Sequence, residues 1–174
     1  VVKYNQNTWN NLLGTIQVSG GSETDTKKFY TNMYRAYASR TIWSDVNGKY
    51  RDMYEKVQQL KDSSDVVYGG DAFWNTFWNL NQLWTLQHPE IANSWVRSLL
   101  EIYDKGGWLP KGPTGIEYSS IMVASHEIPL IVSAFQKGIR NYDVDKEVYE
   151  MFTKETGIKV NLVEGNSPEY TKEY

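Results

Sequence analysis

The chain predicts an all-α protein built from α/α hairpins, and three observations carry that. Apolar residues recur at helical spacing over residues 25–39, 71–87, 89–104, 119–137 and 144–155. Start and stop signals flank those stretches: Ser22 or Thr24, Asp71, Pro89, Ser119 or Ser120 and Asp143 before them, Gly106-Gly107 and Gly138 after them. The connections alternate between short and long, as they do in an array of antiparallel helix pairs.

Each element has its own warrant. Residues 5–13 predict a short helix around Trp9, Leu12 and Leu13, and "TIQVSGGS" predicts a brief extended segment closed by a Gly-Gly turn. In the next helix Phe29, Met33, Tyr34 and Tyr37 share a face. Residues 44–70 predict one long loop with a tight turn at Asn47-Gly48 and a short hairpin. Asp71 caps a helix that runs to residue 87. Pro89 opens the next at a position where its missing N–H costs nothing. Its inward face is Ile91, Trp95, Ser98, Leu99 and Ile102, and Gly106-Gly107 stops it. "WLPKGPTG" is a rigid loop. The helix after it turns Ile121, Ala124, Ile128, Ile131, Val132 and Phe135 inward, with a kink at Pro129. Asp143 caps a last helix to about residue 155, and "GIKVNLVEG" alternates like a strand.

Composition excludes several classes. With 174 residues and a formal charge of −3, the chain lacks the clustered lysine and arginine of a nucleic-acid footprint. No stretch reaches the roughly 18 apolar residues of a membrane span. There is no cysteine, hence no disulfide and no thiolate metal site. The chain opens mid-pattern with "VVKYNQNTW" and stops at "SPEYTKEY", which reads as a fragment or a processed product.

The anomaly is aromatic content, with seven Trp and thirteen Tyr, concentrated in "GGDAFWNTFWNLNQLW" at residues 69–84. A core helix would carry leucine where this has asparagine; a solvated one would carry lysine and glutamate. On a continuous helix Trp74, Asn75, Trp78 and Asn79 form one stripe at spacing four. Rings stack on the C–H face of a sugar, and amides both donate to and accept from its hydroxyl rim. The stripe therefore suits a carbohydrate. The competing reading is rings packed between helices with amides on neighbouring backbone.

Several ordered motifs then resemble one family. They are the tyrosine-rich helix, the "SDVNG" turn at 44–48, "WNTF" at 74–77, Pro89-Glu90, "GGWLP" at 106–110, Met122 with His126, and "KGIR" at 137–140. Together they resemble the start of the catalytic domain of glycoside hydrolase family 92, the calcium-dependent α-mannosidases. The resemblance implies part of an (α/α)6 toroid, with residues 1–23 as a linker helix and short extended segment and 24–174 as the partial toroid. It implies an exo-acting, inverting hydrolysis of α-linked sugars, on an α-mannoside or related glycan. It also implies further polypeptide of the same enzyme as a partner, and a secreted, periplasmic or cell-surface location. Calcium is implied as cofactor, with its ligands and the catalytic carboxylates outside this segment. The segment by itself is expected to be inactive. The family's acidic residue in the Trp-Asp-Thr-Phe motif is Asn75 here, and the arginine after that motif is Trp78, which points to an altered ligand.

The candidate sugar-binding residues are Trp74, Asn75, Trp108, Asp45 and His126, with no catalytic and no metal-ligating residue assigned. Trp108 is an aromatic on a rigid loop, Asp45 sits in the matched turn, and His126 precedes Glu127. Inverting hydrolysis needs an acid and a base carboxyl spaced to hold a water. Asp45, Asp52, Asp71, Glu117 and Glu127 have the chemistry, but Asp45 reads first as a turn former and Asp71 as a cap. His88 and His126 lack metal-ligand spacing. Two other readings stand beside the enzyme: a non-catalytic carbohydrate-binding toroid and a purely structural helical domain.

Overall fold

The computed structural model describes residues 1–70, 72–112, 118, 125–143 and 148–157. The described residues are predominantly helical, with short strands confined to residues 41–69, which bears out the all-α class. The chain divides into two compact units, Val1–Thr41 and the part from Ile42 onward.

In the first unit, α1 (Val2–Leu13) begins three residues before the predicted start, and α2 spans Glu23–Tyr37. Ser22, not Thr24, is the cap. Its hydroxyl accepts from the Asp25 N–H at 3.2 Å, while the Asp25 carboxylate accepts from the Ser22 hydroxyl at 2.7 Å and N–H at 3.3 Å. This reciprocal box satisfies donors that the first helical turn otherwise leaves open. The same bonds, the hydroxyl's first, hold the Asp25 carboxyl below its usual range. Between the helices Trp9 meets Tyr34 at 4.5 Å, and the Tyr30 hydroxyl donates to the Ile16 carbonyl at 3.3 Å.

The long loop bears the two-residue strands β1 (Thr41–Ile42) and β4 (Tyr68–Gly69) at its ends and a hairpin between. The hairpin pairs β2 (Lys49–Arg51) antiparallel with β3 (Val57–Gln59), Tyr50 opposite Gln58. Asn47-Gly48 does form a tight turn, with the Gly48 N–H on the Asp45 carbonyl at 2.9 Å, but it leads into β2. The hairpin itself closes around Asp52. Tyr50, Leu60 and Val67 pack on Ile102, with Met53 and Tyr118 against them. The loop is thereby anchored on a helix by apolar contact.

That helix is α5 (Pro89–Gly106), between α4 (Leu80–Gln87) and α6 (Glu127–Gln136), with which it packs. Trp95, Ser98, Leu99 and Ile102 are buried as predicted, together with Ala92, Val96 and Leu100. Each fully buried large apolar side chain contributes about 1.5–3 kcal/mol. Trp95 meets Trp84 at 4.5 Å and Tyr68 edge-on at 6.3 Å. Gly107 adopts the left-handed conformation at φ 81° and donates its N–H to the Tyr103 carbonyl at 2.7 Å, ending α5 where the Gly-Gly pair predicts.

Two predicted helices differ. The stretch 71–87 is not one helix: α3 (Phe73–Thr76) is a single turn, Phe77 to Asn79 form a turn, and α4 follows. Asn79, at φ −154°, breaks the helical path, and the Gln82 side-chain amide caps the Phe77 carbonyl at 3.0 Å. The helix before Gly138 starts at Glu127, because Ser125 and His126 are not helical. Pro129 then lies in the first turn, where it breaks no hydrogen bond, and the predicted kink is not needed. The last helix among the described residues is α7 (Tyr149–Thr156). The caps at Asp71, Ser119 and Ser120, and the strand after Gly157, lie outside the described residues.

Candidate functional site

Phe73 and Thr76 are buried and pin the single turn of α3. The Ala72 carbonyl accepts from the Asn75 N–H at 2.9 Å and the Thr76 N–H at 3.3 Å. The Phe73 N–H donates to the Lys111 carbonyl at 3.3 Å, which ties α3 to the loop after α5. With two side chains committed inward, Trp74 is half-buried and Asn75 exposed. The chain then turns and presents Phe77 and Trp78, the latter 74% exposed.

These two rings form a tier with a histidine from a distant element. Phe77 stacks on the His126 imidazole at 4.0 Å with planes 11° apart, and Trp78 tilts against Phe77 at 5.0 Å. His126 is held at the entrance to α6. The result is a stepped aromatic surface, and Asn75, two residues before Phe77 in the chain, is exposed. The predicted stripe is corrected: Trp74 and Trp78 do not share a helix, because α3 ends at Thr76. Phe77 is the residue that sequence reasoning missed. Its signal was the repeated aromatic pair in "FWNTFW", which the continuous helical period absorbed.

The other predicted residues sit elsewhere. Asp45 is exposed in its turn, where its N–H donates to the Lys49 carbonyl at 2.7 Å. Trp108 is 52% exposed. Its carbonyl accepts from the Tyr118 hydroxyl at 2.6 Å, and the Lys154 ammonium stands 4.9 Å from its ring centroid. Among the described residues no ring contact joins Trp74 or Trp108 to the Phe77 tier.

Among the described residues the carboxylates do not assemble into an acid and base pair. Asp52 is buried and holds the hairpin turn, accepting from the Tyr54 and Lys56 N–H groups at 2.9 Å each and from the Gln58 amide at 2.7 Å. Burial pushes its carboxyl up, but those three bonds outweigh it, and the group lies below its usual range. Glu127 is fully buried in the first turn of α6, where the helix dipole favours an acid. Asp71 and Glu117 lie outside the described residues. His88 is buried at the start of α5, its Nδ1 3.2 Å from Glu90, as a helix-end residue. Among the described residues no three carboxylates or imidazoles gather to hold a cation, so they do not fit calcium.

Comparison with known proteins decides the family. The model of the glycosyl hydrolase family 92 catalytic domain matches residues 1–174. The chain belongs to glycosyl hydrolase family 92. Its helical hairpins superpose on solved family 92 enzymes, which carry a helical toroid domain. An inverting family 92 mannosidase from Bacteroides thetaiotaomicron VPI-5482 matches with TM-score 0.80 at 23% identity, over 92% of this chain and 22% of that one. A family 92 α-mannosidase from Bacteroides thetaiotaomicron matches with TM-score 0.80 at 22% identity, over 92% of this chain and 21% of that one. The latter has also been solved with mannoimidazole. The chain thus spans less than a quarter of the length of these family 92 enzymes. No curated protein sequence matches it.

Proposed function

We propose that this family 92 chain supplies part of the sugar-binding wall of an exo-acting, inverting α-mannosidase-like hydrolase. The observation that carries the reading is the tier of Trp78, Phe77 and His126, with Asn75 exposed two residues before Phe77 in the chain. Rings of this kind stack on the C–H face of a pyranose, and the amide bonds a hydroxyl in either direction. Trp74, Trp108 and Asp45 are further wall residues in this reading. Residues 1–23 act as the linker, and 24–174 as the partial toroid. In this reading the acid, the base and any calcium ligands come from segments outside this chain, and the 174-residue segment alone does not hydrolyse α-mannosides. No helix among the described residues is long and apolar enough to cross a membrane. A secreted, periplasmic or cell-surface site of action belongs to the same proposal.

The replacement of a charged pair by Asn75 and Trp78 favours a second reading, a toroid that binds its glycan without turnover. One experiment addresses both. Affinity for methyl α-mannoside, hydrolysis of an α-mannoside and thermal stability are measured for the full-length protein and for Asn75→Ala, Asn75→Asp and Phe77→Ala. Loss of the amide bond is expected to weaken affinity about two- to tenfold with stability unchanged. Unchanged affinity in both alanine variants would sink the wall assignment. Binding without hydrolysis selects the second reading, and a gain of hydrolysis in Asn75→Asp marks the altered specificity.

A further inference from the structure

The second compact unit carries a groove of about 500 Å³ whose lining shares no residue with the Trp78, Phe77 and His126 tier. That volume falls among small-ligand clefts, which run about 300–1,000 Å³. Arg97 and Asp104 line it from one face of α5, Arg140 and Tyr142 from the turn after α6, and Glu150 from α7. Two of its three cations are held in place. Asp65 pairs with Arg97, and Arg140 lies 3.9 Å over the Phe135 ring with its Nε on the Phe135 carbonyl at 3.0 Å. The Tyr142 hydroxyl donates to the Ile139 carbonyl at 2.7 Å, which fixes that ring. Tyr103, which also lines the groove, lies 5.4 Å from the Lys154 ammonium, which also stands 4.9 Å from the Trp108 ring. The groove and the exposed Trp108 are therefore adjacent.

The chemistry of this lining is selective. Guanidinium forks offer paired donors, and carboxylates offer paired acceptors. Vicinal hydroxyls of a sugar use both at once, and the tyrosines add flat apolar surface. Carboxylates outnumber cations along the groove, which repels an anionic ligand. We propose that the groove is a second, non-catalytic site for a neutral oligosaccharide, reaching from Trp108 past Tyr103 to Tyr142. Apart from Trp108, which the wall reading also uses, its residues are independent of the Trp78, Phe77 and His126 tier.

The test is retardation of the full-length protein in gels containing a neutral α-mannan, with polygalacturonate in parallel. The mannan is expected to retard the protein and polygalacturonate is not. Asn141→Ala and Glu150→Gln, both on exposed side chains, should each weaken retardation about two- to fivefold, the worth of one hydrogen bond. Tyr103→Ala should weaken it further, and Tyr103→Phe should restore it. The groove is overturned if the mannan does not retard the protein, if polygalacturonate retards it equally, or if the Asn141→Ala/Glu150→Gln double variant is retarded as before. Phe77→Ala separates the two sites. Retardation lost there and kept in the double variant assigns binding to the platform and overturns the groove. The reverse pattern supports the groove and sinks the platform.

Discussion

Asp52 shows how one residue type serves two purposes that a sequence does not separate. A carboxylate near a turn in a hydrolase family invites a catalytic reading. In the structure both of its oxygens are engaged, by the Tyr54 and Lys56 N–H groups and the Gln58 amide. The folded carboxyl titrates below its ordinary value near 3.8. Its contribution to stability is therefore fully present above the unfolded value, and is lost as pH falls through the folded one. We predict that Asp52→Asn destabilises the protein at pH 7 by about 1–3 kcal/mol, since a buried acceptor is removed. The gap between variant and wild-type melting temperatures should narrow toward pH 3. A gap independent of pH would contradict the role given to the charge. An Asp two residues before an N–H that needs an acceptor is a common local motif, but sequence reasoning assigned the turn role to Asp45 and not to Asp52. The burial of Asp52 was not legible either, since that depends on α5 arriving from fifty residues away.

Among the elements, the helices with strong periodicity and end signals were legible, and α5 is the clearest: Pro at its start, Gly after its end, one apolar face. The break between α3 and α4 was not, because its cause is a competition. Asparagine and glutamine side chains offer the backbone alternative partners, and here Gln82 takes the Phe77 carbonyl. That break creates the candidate site, for it turns Phe77 toward His126. A second feature at this scale is Gly106, which ends α5 under a crowded roof. A Cβ there would stand 2.6 Å from Met53 Cε and nearer still to the Tyr118 hydroxyl. Alanine is ordinarily better than glycine in a helix by about 1 kcal/mol. Here the collision should win, and Gly106→Ala should destabilise by about 1–3 kcal/mol in denaturant melts. Adding Tyr118→Phe removes the nearest atom, so the double variant should recover part of that loss. Simple additivity of the two changes would show that the collision is not what matters.

For the whole molecule, the relatives are several times longer than this chain. Leu86 on α4 is 81% exposed. In the full-length protein we expect additional polypeptide to cover it, so that hydroxyl-radical footprinting labels Leu86 weakly. Strong labelling there would leave that face solvated. The family was legible because several motifs stand in order at the right spacing, and some of them, such as Pro89-Glu90 and the Gly106-Gly107 pair, mark element ends. The site was legible as a neighbourhood, aromatic and amide-rich, but not as a geometry. Finally, α4 and α5 are joined through His88 alone. Closing so short a connection costs little chain entropy, and Trp84 and Trp95, eleven positions apart, meet across it at 4.5 Å. Contacts that local form early, so this corner is a natural nucleus for the second unit. Trp95→Phe should accordingly slow refolding far more than it speeds unfolding, a division that stopped-flow chevrons measure directly. If the change fell mainly on the unfolding arm, the order of events would start elsewhere.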